Sequence, residues 1–129
     1  MIVDSWIQHP TPALLNDPMF ASLRRWMGIT EAPPEIPHAF TRAALDAANV
    51  DVALASAWLG PQGALIPNEA VAALVAQDPE RIRGVASVDL HQPMEAVRCL
   101  RRWVKEGFVG LRVLPWLWQL PPDDRRYYP

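Results

Sequence analysis

Apolar residues along this chain alternate between two spacings. Short compact runs, Ile2–Asp4, Val50–Ala57, Gly84–Asp89 and Phe108–Leu114, have the length and β-branched or small-residue content of buried strands. Between them the spacing lengthens to three and four residues. Met19, Phe20, Leu23 and Trp26 mark a short helix over Pro18–Trp26. Phe40, Ala44, Leu45 and Ala48 mark one over His38–Asn49. Val71, Leu74 and Val75 belong to a helix over Glu69–Gln77, with Asn68 as its N-cap, and Val97, Leu100 and Val104 give the buried stripe of a helix over Glu95–Glu106. Pro93 suits that last helix's first turn, and Gly107 suits a left-handed cap at its end.

The order strand, helix, strand, helix predicts an α/β fold with a parallel sheet. Helices of ten to fifteen residues with short return loops match a right-handed crossover. The four β/α units amount to half of a TIM-type (β/α)8 barrel. Prolines punctuate the boundaries between segments: Glu31–Pro37 and Trp58–Gly63 read as loops, and Asp78-Pro79 and Pro115 as stops. With 129 residues the chain is expected to form one domain, 1–129.

Charge changes the picture mainly by exclusion. A formal net charge of −2, with no basic run longer than a pair, gives no electrostatic case for nucleic acid. No apolar stretch is long enough to span a bilayer, and the N-terminus has no basic region with an apolar run, so a cytoplasmic protein is expected. The one cysteine, Cys99, lies in a helical stretch and reads as a small hydrophobe. Neither common glycine-rich phosphate loop is present.

In a β/α barrel, chemistry gathers at the carboxyl ends of the strands. Those ends carry Ser5, Trp6, Gln8 and His9; then Ser56, Trp58 and Gln62; then Asp89, His91 and Gln92; then Trp116 and Trp118, with Arg112 just inside the last strand. This ring of aromatic and amide groups with few ionisable ones suits a pocket for a planar or acidic organic molecule. The pocket candidates are Trp6, Gln8, His9, Trp58, Arg112 and Trp116, and His9 is the one metal-ligand candidate. Arg112 needs a counter-ion, and a structural pair with Asp4 or Asp89 is expected ahead of a substrate carboxylate. The Asp123-Asp124-Arg125-Arg126 run reads as a solvated turn.

Three stretches resemble the amidohydrolase-related family, which includes the aminocarboxymuconate-semialdehyde decarboxylase type. They are Met1-Ile-Val-Asp-Ser-Trp-Ile-Gln-His9, Gly84-Val-Ala-Ser-Val-Asp89, and the tail from Gly110-Leu-Arg-Val-Leu-Pro-Trp116 to Pro-Pro-Asp-Asp-Arg-Arg-Tyr-Tyr-Pro129. The resemblance implies an eight-stranded β/α barrel of which this chain is the N-terminal half. It implies hydrolysis or non-oxidative decarboxylation of a small organic substrate, with a divalent metal, usually zinc, as cofactor. The metal would be held by a His-x-His pair on the first strand, a later His and a late Asp. The His-x-His positions fall on Trp6 and Gln8, and Leu114 stands where many relatives have His. Neither Trp nor Gln is an ordinary zinc ligand. The alternative expectation is therefore a metal-free relative that binds a ligand or partner. Half a barrel also presents unpaired edges, so a homo-oligomer is a third expectation.

Overall fold

The computed structural model describes residues 1–31, 34–121 and 123–125. Its centre is a four-stranded parallel sheet of β1 (Val3–Ile7), β2 (Val52–Ser56), β5 (Ile82–Ala86) and β6 (Gly110–Leu111), in that spatial order. A two-stranded antiparallel ribbon, β3 (Trp58–Gly60) with β4 (Gly63–Ile66), stands on the end of β2. The helices are α1 (Pro12–Asn16), α2 (Ala21–Trp26, entered through a 3-10 turn at Pro18–Phe20), α3 (His38–Ala47), α4 (Asn68–Gln77), α5 (Pro93–Lys105) and α6 (Pro115–Trp118). Successive β/α units laid side by side in chain order make this half of a TIM-type barrel.

The core lies between the sheet and the helices that cover its outer face. Ala53 and Ala55 of β2 and Ile82 and Ala86 of β5 meet Leu45 of α3, Val71 and Leu74 of α4, and Trp103 of α5. Small strand residues let the helices approach closely, and large helix residues fill the space. Gly84 shows this at atomic scale: a β-carbon there would lie 2.9 Å from the Phe108 ring. Gly107 ends α5 with φ +92°, the left-handed cap expected of it, and so turns Phe108 into the core.

Several expectations need correction. The buried side of α5 is Cys99, Leu100 and Trp103, whereas Val97 and Val104 are exposed. Both sets have helical spacing, and the large ring of Trp103 settles which one faces the sheet. In α3 the buried residues are Thr41 and Leu45; Phe40, Ala44 and Ala48 face solvent. On α2, Leu23 and Trp26 are exposed.

The strands also shift. β1 runs on through Ser5 and Trp6, and β5 begins two residues before Gly84. Only Gly110–Leu111 form the last strand, but Val109 N–H donates to Gly84 O at 2.8 Å and Arg112 N–H to Ala86 O at 2.7 Å. Trp58–Gly63 is not a loop but belongs to the ribbon, turned by Pro61-Gln62-Gly63. Asn68 is not the N-cap, a position held by Pro67. Its side chain instead clasps the end of β5: Nδ2 donates to Ser87 O, and Oδ1 accepts from Ser87 N–H, both at 2.9 Å. Among the described residues, no helix is long and apolar enough to cross a membrane. Within the tail, Pro122 and 126–129 lie outside the described residues, as do Ala32 and Pro33 of the predicted Glu31–Pro37 loop.

Candidate functional site

An irregular register in β1 builds one side of the site. Asp4 is level with Ala53, and Ile7 with Ala55, so three steps along β1 match two along β2. This is a β-bulge, closed by Trp6 N–H donating to the Asp4 carboxylate at 3.0 Å. The extra residue lets Ile7 pack on the core while Trp6 turns to the opposite face. There the Arg112 guanidinium lies 3.7 Å from the Trp6 ring centre and 5.8 Å from that of Trp58. Trp58, the first residue of β3, packs between Trp6 at 6.2 Å and Trp116 at 6.1 Å. Trp6 and Trp116 are each more than half exposed, and Trp58 is buried. The sheet thus gathers Trp6, Trp58, Arg112 and Trp116 into one aromatic platform at its carboxyl end.

Arg112 has no carboxylate partner among the described residues, which corrects the expected structural pair. Asp4 is engaged by the bulge, and Asp89 accepts from His91 N–H and the Gln92 amide. Among the described residues, the Arg112 guanidinium donates a hydrogen bond to the Ser56 hydroxyl, at 3.4 Å. Burial lowers the guanidinium's pKa, yet an arginine remains charged in a protein. A half-buried cation stacked on an indole, without an anion, is equipped to bind one from solution.

His9 is placed differently. Its Nε2 sits 2.8 Å from Ile36 O and therefore carries the proton, and its Nδ1 accepts from the Thr41 hydroxyl at 2.8 Å. The His38 ring packs edge-on at 4.6 Å. Both ring nitrogens are thus occupied in tying the first loop to α3. Burial is the main cause that lowers the His9 pKa; the Ile36 carbonyl opposes it, the nearby His38 adds to it, and Glu35 opposes it. A histidine with a folded pKa below its unfolded value near 6.5 contributes stability that is complete above that value. That contribution falls away as pH drops through the lower folded value. Urea midpoints measured from pH 7.5 down to about 5 should therefore fall in the wild type. In His9→Gln, which keeps an amide donor and acceptor without a titration, the decline should be visibly shallower.

The remaining strand-end residues are mostly structural. Trp118 is buried and donates Nε1–H to Leu59 O at 3.0 Å, which holds α6 on the ribbon. His91 packs edge-on against it at 5.0 Å. Ser5 and Gln62 are exposed. Gln8 is half-buried, and its buried Nε2 has no hydrogen-bond partner among the described residues. Sequence reasoning missed the ribbon, although Gly60-Pro61-Gln62-Gly63 between apolar residues is a hairpin signal.

The donors present do not form a zinc site of the kind the resemblance implies. Trp6 and Gln8 are not ordinary zinc ligands, and both nitrogens of His9 are in use. Among the described residues, no three His, Cys, Asp or Glu side chains gather closely enough to hold a metal ion.

The fold is half of a (β/α)8 barrel, with an aromatic platform at the carboxyl ends of its strands. The Amidohydrolase family model matches residues 7–129, and the chain belongs to that family. No curated protein matches it in sequence. An uncharacterized TIM-barrel protein from Bordetella bronchiseptica superposes with a TM-score of 0.68 at 21% identity, covering 98% of this chain and 49% of that one. A probable 2-pyrone-4,6-dicarboxylic acid hydrolase from Acinetobacter baumannii, with citric acid bound, gives 0.60 at 17%, covering 96% and 40%. A 2,6-dihydroxybenzoate decarboxylase complexed with 2,6-dihydroxybenzoate gives 0.56 at 18%, covering 86% and 37%. The chain therefore spans less than half the length of these structures.

Proposed function

We propose that this domain binds a planar organic acid on the Trp6–Arg112–Trp58–Trp116 platform. As part of a complete barrel it would take part in hydrolysis or non-oxidative decarboxylation, the reactions of the aminocarboxymuconate-semialdehyde decarboxylase type and its relatives. The observation that carries this reading is Arg112, a half-buried guanidinium held by an indole face and lacking an anion among the described residues. Arg112 binds the carboxylate, Trp6 and Trp116 offer flat faces to the ring, and buried Trp58 closes the inner side against water. Two of the similar structures support the choice of ligand class, since citric acid and 2,6-dihydroxybenzoate both carry carboxylates.

A second reading, a metal-free relative that binds rather than transforms its ligand, is favoured by Trp6 and Gln8 at the positions where the resemblance places ligating histidines. Both readings need the same platform. The test is a titration of the protein with benzoate and with nitrobenzene, a neutral molecule of nearly the same shape. Benzoate should bind at least about tenfold more tightly, the effect of roughly one charge-assisted hydrogen bond. Equal affinities, or no benzoate binding, would refute the proposal.

A further inference from the structure

Two of the three platform indoles sit on elements too small to hold themselves. Trp58 belongs to the two-stranded ribbon, and Trp116 to α6, a helix of four residues. A lone hairpin is marginal in water, and so is a single helical turn. Contacts outside each element must therefore fix where these rings lie.

Leu59, next to Trp58, has both backbone polar groups engaged outside the ribbon. Its N–H donates to the Ser87 hydroxyl at 3.2 Å, and its carbonyl accepts from Trp118 Nε1–H at 3.0 Å. Ser87 follows the end of β5 and is 1% exposed. The Asn68 amide holds the Ser87 backbone at both N–H and carbonyl, so the hydroxyl sits on a fixed mount. β5 pairs with β6, and Arg112 follows β6 directly. Ser87 thus ties Trp58 to the part of the sheet that carries the cation.

α6 is clamped onto the ribbon at two points. One is the Trp118 hydrogen bond, and the other is Leu117 lying over Gly60. A β-carbon at Gly60 would come within 2.7 Å of Leu117 Cδ2, so only glycine lets Leu117 seat this closely. Trp116 adjoins Leu117 on the same short helix, and its ring centre lies 6.1 Å from that of Trp58.

We propose that Ser87 and Gly60 are positioning residues that fix Trp58 and Trp116 around the Arg112 cation, so that the site prefers flat aromatic acids to puckered ones. A flat ring gains stacking contact only from indole faces held at a fitted separation, whereas a puckered ring of the same size gains only apolar contact. With the indoles displaced, either acid is held mainly through its carboxylate. The inference rests on the reading of Arg112 as a carboxylate site.

The test titrates the protein with benzoate and with cyclohexanecarboxylate, which share the carboxylate and the six-membered ring. The wild type should prefer benzoate by about fivefold. In Ser87→Ala, which removes the acceptor for Leu59 N–H, and in Gly60→Ala, which displaces Leu117, the preference should fall to about twofold or less. Partial unfolding lowers both affinities alike and leaves their ratio unmoved, so the ratio separates positioning from mere stability. Asn68→Ala, which loosens the mount of the same hydroxyl, serves if Ser87→Ala fails to fold. An unchanged preference in either folded variant would overturn the role of the residue concerned, and equal affinities in the wild type would overturn both. Absence of benzoate binding to the wild type would instead refute the carboxylate reading, and this inference with it.

Discussion

Trp103→Ala should cost the domain about 3–5 kcal/mol of unfolding free energy, the usual toll for removing a large ring from a sealed core. Trp103 is 2% exposed, and its ring centre lies 4.8 Å from that of Phe108. Phe108 in turn fills the space left open by Gly84, so the missing indole would leave a cavity beside the sheet that its neighbours cannot close. Domains of this size typically have only about 5–15 kcal/mol in total, so a large part of the stability is at stake. Urea unfolding followed by circular dichroism is the measurement, because six tryptophans complicate fluorescence. Val104→Ala, one position along on the exposed side of the same helix, should change stability by no more than about 0.5 kcal/mol. Similar losses in both variants would contradict the packing described for α5.

Arg112→Met should weaken benzoate binding by about 10- to 100-fold, the equivalent of roughly 1.5–3 kcal/mol for hydrogen bonds to a charged group. Methionine keeps an apolar stem against Trp6 but brings no charge and no donor. Arg112→Lys should fall between the two, because an ammonium keeps the charge but loses the planar fork and most of the stacking on the indole. Stability should change by only about 0.5–1 kcal/mol, the scale of an exposed cation–π contact. Loss of benzoate binding together with gross unfolding would show that Arg112 is a structural residue. Unchanged binding in Arg112→Met would remove it from the ligand site.

Much of this architecture could be read from residue spacing, and the exceptions have physical causes. The parallel β/α order was legible because compact apolar runs and helical stripes alternate without interruption. On α5, however, two stripes are compatible with the same period, and only tertiary packing of Trp103 chooses between them. Asn68 has the residue type of a cap, but its amide matches the Ser87 backbone across the sheet end better than its own helix start. Trp6, Trp58, Arg112 and Trp116 came forward as site candidates by their place at the carboxyl ends of the predicted strands. Their convergence depends on the bulge in β1, which no local pattern announces. Arg112 was expected to need an internal anion, and the stacking that holds it without one is a property of ring orientation alone.

That bulge also governs how the first strand can change over evolutionary time. Loops may lengthen or shorten with little effect on either side of the sheet, but the count of residues between Asp4 and Ile7 is fixed by two opposing demands. Gain or loss of a single codon there would reverse the strand's facing, sending either Ile7 into solvent or Trp6 into the hydrophobic layer. Homologous positions in this strand are therefore matched by the side on which they point, not by their ordinal number.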